Sequence, residues 1–271
     1  MYRIKATSVV FCLTLFLSSC ADRDESGQSS ADATQSDAAE CRLVMGWDPW
    51  EPYQYMDVEG NIIGLDVELV SAIVEKAGCG LSFAEGNWSQ LLAKLRDGEI
   101  DLLAGATRTA SREQFAFFSE PYRNESFVLY VRAGELQKYP DATLNGVLEK
   151  DFRLGVTLDY IYGDEVSALQ SDPNFSDSFV DAPISELNYS KLTDFEIDGF
   201  LEDPIVASAI LRRKGLRDEI VAHPLEIESG VVHLMLSRAS LDEQFVASLD
   251  EGLRGLLADG TLEAILAKYR D

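Results

Sequence analysis

From residue 41 onward, short apolar runs alternate with stretches whose apolar residues recur at helical spacing. Arg42-Leu43-Val44-Met45-Gly46 predicts a strand that ends on glycine. Leu69, Val70, Ile73, Val74 and Ala77 fall on one face and predict a helix over 66–77, stopped at Gly78. Leu81-Ser82-Phe83 reads as the next strand, and 89–96 as a helix with Leu91, Leu92 and Leu95 inward. Ile100-Asp101-Leu102-Leu103-Ala104 is a third strand, running into a turn at Gly105. Strands alternating with helices imply an α/β unit with parallel strands.

The second half repeats the theme. Phe127-Val128-Leu129-Tyr130-Val131-Arg132 and Phe152-Arg153-Leu154-Gly155-Val156 predict strands, and helices are expected after Gly163 and over 185–193. The run from Glu196 to Pro204 reads as a strand followed by a helix start. Val231-Val232-His233-Leu234-Met235-Leu236 is another strand, in which His233 alternates with apolar residues and reads as structural. His223 precedes Pro224 in a connector. Ser240-Leu241-Asp242-Glu243 reads as a capping box for a helix running to Leu257, and a last helix is expected over 262–269.

In a parallel sheet, ligands settle outside the carboxyl ends of the strands. Two such ends carry suggestive residues. The segment 47–55 holds Trp47, Trp50, Tyr53 and Tyr55, with Pro49 and Pro52 but without regular spacing, and reads as an exposed aromatic loop lining a cleft. Gly105-Ala106-Thr107-Arg108-Thr109 leads into a short helix expected near Ala110, with Arg112 in its first turn. Free N–H groups there, together with a planar guanidinium, suit a carboxylate. The plainer alternative is an ordinary connection with Thr109 as N-cap and Arg112 as a surface charge.

Charge narrows the partners. The 271 residues carry a formal charge of −24, so a polyphosphate would be repelled and nucleic acid is not an expected partner. No metal-ligand cluster, nucleophile–base set or cofactor motif stands out, and no cofactor is expected. Residues 1–20 read as an export signal: Arg3 and Lys5, then an apolar stretch over 9–17 that is short for a membrane span. The stretch ends on Leu17-Ser18-Ser19-Cys20, which resembles the lipobox of bacterial lipoproteins and implies lipid attachment at Cys20. A plain secretory peptide is the alternative. In Gram-negative lipoproteins, Ala21 would not signal inner-membrane retention. Residues 21–40 lack large apolar side chains and read as a flexible acidic tether. With Cys12 in the leader and Cys20 lipidated, Cys41 and Cys79 remain. As they stand at the starts of neighbouring strands, they are expected to pair as a disulfide outside the cytoplasm, with two buried thiols as the alternative.

A resemblance gathers these features. Gly46-x-Asp48-Pro49-x-x-Pro52-Tyr53, Gly64-x-Asp66-Val67-Glu68-Leu69, Gly105-x-Thr107-x-Thr109-x-x-Arg112 and Phe118-Ser119-x-Pro121-Tyr122 are similar, in order and spacing, to family 3 extracellular solute-binding proteins. These are the polar amino acid receptors of ABC importers. The resemblance implies a periplasmic-binding-protein-like type II fold, two α/β lobes joined by two crossing strands, with 41–132 and 231–271 as lobe 1 and 133–230 as lobe 2. It implies a ligand site of Asp48, Trp50, Trp88, Gly105, Thr107, Arg112, Tyr160 and Asp203. Thr107 and Arg112 would hold an α-carboxylate, Trp50 and Trp88 would wall the side-chain pocket, and Asp203 would meet the ammonium. Asp203-Pro204 is equally a good N-cap and first helical residue. One departure stands out: where the family usually has Gly-Thr after the first strand of lobe 2, this chain has Asp159-Tyr160.

The function so implied is capture of an amino acid or similar small zwitterion, by a monomer tethered through lipid, for delivery to an ABC permease. The chain would sit on the periplasmic side of a Gram-negative envelope or the outer face of a Gram-positive membrane. Two alternatives remain, a cyclohexadienyl- or arogenate-dehydratase-like enzyme on the same scaffold and a ligand sensor for a signalling membrane protein.

Overall fold

The computed structural model describes residues 41–269; the leader, Cys20 and the tether over 21–40 lie outside them. In chain order the elements are β1 (Arg42–Trp47), β2 (Tyr55–Met56), β3 (Ile62–Ile63), α1 (Leu65–Lys76), β4 (Gly80–Glu85), α2 (Trp88–Asp97) and β5 (Leu102–Ala106). Then come β6 (Ala116–Phe118), β7 (Arg123–Arg132), α3 (Leu144–Leu148), β8 (Leu154–Thr157), α4 (Asp164–Ser171), β9 (Phe179–Ala182) and α5 (Glu186–Thr193). The chain closes with β10 (Gly199–Glu202), α6 (Pro204–Lys214), β11 (Ile220–Ser237), α7 (Glu243–Ala258) and α8 (Thr261–Lys268).

The main sheet runs β4-β1-β5-β11-β7-β10-β8-β9, with β6 also on β11. In its first part β4, β1 and β5 are parallel, and in its second part β10, β8 and β9 are parallel. The antiparallel pair β7 and β11 joins the parts: β11 meets β7 from Ile220 to Val232, then β5 from His233 to Leu236. The register shifts between Glu228 and Gly230, where Gly230 takes a φ of 107° that a side chain would disfavour. This is the architecture of two α/β lobes joined by two crossing strands. Both crossing strands are longer than the apolar runs at 127–132 and 231–236 predicted, because their polar flanking residues also join the ladder.

Alternation sends successive side chains to opposite faces, and each part of the sheet is packed on both. Leu102 joins Met45, Ile73, Leu236 and Leu253 beneath α1 and α7, while Leu103 joins Leu91, Leu95 and Met235 beneath α2. In the second part Phe200 packs with Tyr189 and Ile210, and Leu201 with Phe127 and Phe152. The Cys41–Cys79 disulfide ties the starts of β1 and β4, next to the paired Arg42 and Gly80. In the chain-entropy picture such a loop contributes roughly 3–4 kcal/mol.

Three local expectations are corrected. The short helix near Ala110 is a single 3₁₀ turn, Arg112–Gln114, because the apolar residues that follow are drawn into β6 against β11. The cap of α7 is Asp242, not Ser240: its carboxylate accepts the Phe245 N–H at 2.8 Å. Helix α2 begins at Trp88, one residue earlier than read, because Asn87 and Gln90 form a reciprocal capping box.

Candidate functional site

Four strand ends converge on one cleft. β1 ends before Asp48 and Trp50, β5 before Thr107 and Arg112, β8 before Asp159 and Tyr160, and β10 before Asp203. A cavity of about 30 Å³ lies there, lined by Asp48, Trp50, Trp88, Gly105, Thr107, Arg112 and Tyr160 from the expected set. Gln54, Ala104, Glu125, Phe127 and Ile161 complete the lining. The aromatic loop is not exposed as expected: Trp47, Trp50 and Tyr53 are buried, and the Trp50 and Tyr53 rings stack at 4.6 Å.

Gly105 has a φ of 67°, and a Cβ there would sit 3.3 Å from an Arg123 nitrogen and 3.5 Å from Asp66. Its N–H does not face the cavity but donates to the Tyr122 hydroxyl at 2.8 Å, which in turn donates to Asp66. Beyond this turn, Arg112 is only 6% exposed. Its Nη1 donates to the Thr107 carbonyl at 2.9 Å and its Nη2 to the Asp159 carbonyl at 2.7 Å, so one guanidinium spans the two lobes. Burial pulls its pKa down to about 10, against the pull of Asp159 and Glu125. A buried cation held by neutral carbonyls retains its attraction for an anion.

Carboxyl groups outnumber guanidinium groups here. Asp48 accepts from Gln54 Nε2 at 2.8 Å and from the Tyr160 hydroxyl at 3.4 Å; burial raises its pKa to about 6. Glu125 accepts from Arg123 Nη1 at 3.3 Å and from Ser229 Oγ at 3.4 Å; burial raises it to about 7, with Arg123 opposing. Glu202, just behind, is raised to about 8 by burial and then by Asp203. With Asp66 and Asp203, five buried carboxyl groups face two buried guanidinium groups, Arg112 and Arg123. Two further polar atoms in the lining, Trp88 Nε1 and Gln54 Oε1, are buried without a hydrogen-bond partner among the described residues.

Asp203 stands apart from the rest of the expected set and does not line the cavity. One oxygen accepts the N–H groups of Ile205 (2.8 Å) and Val206 (3.1 Å), capping α6 with Pro204 as its first residue. The other accepts the Tyr53 hydroxyl at 3.1 Å across the lobes. Burial raises its pKa, and Arg123 opposes the shift. Arg123 itself lies 4.2 Å over the Tyr53 ring, beside Asp66 at 4.0 Å and Glu125 at 3.3 Å, and those charges hold its pKa well up despite burial. Both histidines are structural, His223 bonding the Tyr139 carbonyl and His233 the Ser119 carbonyl.

Sequence reasoning missed Glu125, although a signal existed. Glu125, Phe127, Leu129 and Val131 share one inward face of β7, so a carboxylate occupies a core-facing position. Gln54 carried no such signal, because only the folded loop turns it toward Asp48.

Comparisons with known proteins agree with this geometry. A probable histidine-binding protein of Neisseria gonorrhoeae is 24% identical over 261 residues, covering 95% of this chain and 92% of that protein. The arginine-binding extracellular protein ArtP of Bacillus subtilis is 23% identical, covering 96% and 95%. Relatives matched along the length of the chain are thus binding proteins rather than enzymes. A membrane-bound lytic murein transglycosylase F of Desulfosudis oleivorans matches over 61% of this chain and 36% of its own length. Among solved structures, a histidine kinase sensor domain aligns with a TM-score of 0.72 at 22% identity, covering 86% of this chain and 96% of that one. An ancestral arginine-binding protein aligns at 0.71 and 20%, covering 85% and 98%. No described helix is long and apolar enough to cross a membrane. A family model also spans residues 43–271, both lobes and the cleft between them, and the chain therefore belongs to the bacterial extracellular solute-binding proteins, family 3.

Proposed function

We propose that this protein captures a small, positively charged amino acid between its lobes and delivers it to an ABC importer while tethered to the membrane through a lipid on Cys20. The observation that carries the reading is the charge of the cavity wall. Arg112 lines it, and so do Asp48 and Glu125, which supply two carboxyl groups. An α-carboxylate pairs with the guanidinium, and two cationic groups pair with the two acids. A neutral zwitterion offers only one cation to these two buried acids, whose ionised forms each gain from one. Trp88 Nε1 and Gln54 Oε1 offer a further donor and acceptor.

Asp203 acts from behind this set, backing the acids and closing the lobes through Tyr53. Lobe 1 comprises 41–132 and 231–271, and lobe 2 comprises 133–230. Residues of both lobes bound the cleft, so ligand binding favours the closed arrangement. Relatives named for arginine and histidine support a cationic ligand, and the family's extracellular character supports delivery to a permease. The test is a thermal-shift screen over the natural amino acids, short diamino acids and polyamines. Cationic amino acids are expected to raise the melting temperature most. A best response from acidic amino acids, or from none of the panel, overturns the reading.

A further inference from the structure

Tyr160 stands where the resemblance places Thr, and its side chain lies inside the site. Its ring meets Trp50 edge-on at 6.2 Å and Trp88 edge-on at 6.0 Å, and its hydroxyl donates to Asp48. These two tryptophans wall the space expected to take a ligand's side chain. Tyr160 therefore occupies part of that space when the lobes meet.

The ring is held there from several directions. Thr157 to Tyr160 form a tight turn closed by the Tyr160 N–H on the Thr157 carbonyl at 3.2 Å. Asp159, third in the turn, has a φ of 62°, a conformation that Asp tolerates better than most side chains. Its carbonyl accepts from Arg112 at 2.7 Å, and its carboxylate accepts from the Ser89 hydroxyl of the other lobe. The Leu158 N–H is fixed on the Ala182 carbonyl at 2.9 Å. A turn pinned on both lobes leaves the ring little freedom to swing aside in the closed state.

We propose that Tyr160 is the specificity-determining residue that limits ligand length, so that the cleft selects α-amino acids with short cationic side chains over long ones of the same charge. The inference rests on the amino acid reading above and adds a size limit to it. Long side chains must displace the ring from between the tryptophans and break its bond to Asp48. Short ones reach Asp48 and Glu125 with the ring in place.

The test uses ligands of fixed charge and rising length: L-2,3-diaminopropionate, L-2,4-diaminobutyrate, L-ornithine and L-lysine. Their affinities are measured by calorimetry for the full protein, Tyr160→Phe and Tyr160→Gly, with circular dichroism and melting confirming that each variant folds. For the native protein, lysine is expected to bind about tenfold or more weaker than diaminobutyrate. Tyr160→Phe should keep that order, and Tyr160→Gly should bring lysine to within about threefold of diaminobutyrate or ahead of it. A merely structural role would weaken all four ligands alike and leave their order unchanged. Tight lysine binding by the native protein, or the same order in Tyr160→Gly, overturns the size limit while leaving the amino acid reading standing. Failure of every amino acid to bind any of the three proteins overturns both.

Discussion

Arg112 and Arg123 carry the same side chain, largely buried in both, but their surroundings differ. Arg123 is set among Asp66 and Glu125 and over the Tyr53 ring, and its charge is answered inside the protein. The Arg112 guanidinium bonds backbone carbonyls and, among the described residues, no carboxylate, and burial lowers its pKa against the pull of Asp159 and Glu125. The first arginine holds the fold around the cleft, and the second faces the cavity with its charge available. What separates a structural charge from a binding one is whether its counter-charge is already present.

The widest separation between the two is expected on substitution. Arg123→Met leaves Asp66 and Glu125 buried without their cation and should cost roughly 3–5 kcal/mol of stability by urea unfolding. A loss near zero would contradict its structural role. Arg112→Met should weaken a cationic amino acid by about 2–5 kcal/mol in calorimetry while costing only about 1 kcal/mol of stability. The comparison breaks if the two substitutions exchange effects.

The acids sharpen the same contrast through pH. Asp48, Glu125 and Glu202 have folded pKa values of about 6, 7 and 8, all above the ordinary carboxylate range. The folded state therefore keeps protons that the unfolded chain has released. Their contribution to stability is complete below the unfolded values and is lost as pH rises through about 6 to 8. The melting temperature of the ligand-free protein should fall by on the order of 5 °C across that window. A cationic ligand favours the ionised acids, so its affinity should strengthen over the same range, and binding should release protons. Affinity that falls with rising pH would count against Asp48 and Glu125 as its partners. The smallest effect belongs outside the cleft: Asp242→Ala removes the cap of α7 and should cost about 1 kcal/mol without changing binding.

The fold was largely legible because each apolar run matched the period of its element, as with Leu102 and Leu103 dividing between opposite faces of β5. Asp48, Trp50, Thr107 and Arg112 were legible as cleft-lining residues because they follow strand ends, where a parallel sheet opens. Limits came from residues whose placement depends on distant partners. Asp203 was read as facing the cleft, yet its second oxygen meets Tyr53, a contact between residues 150 positions apart. Glu125 and Arg123 lay in a segment read for its apolar core alone. Tyr160 was visible as a departure from the family pattern, but its insertion between Trp50 and Trp88 depends on how the two lobes meet.

The most direct test of the central claim compares three compounds by calorimetry on the same purified protein: L-2,4-diaminobutyrate, L-homoserine of similar length, and 1,3-diaminopropane, which lacks the carboxylate. With Arg112 and two carboxyl groups lining one cavity, diaminobutyrate should bind about tenfold or more tighter than either of the others. Equal binding of homoserine would contradict the role of the buried acids, and equal binding of diaminopropane would contradict the role of Arg112.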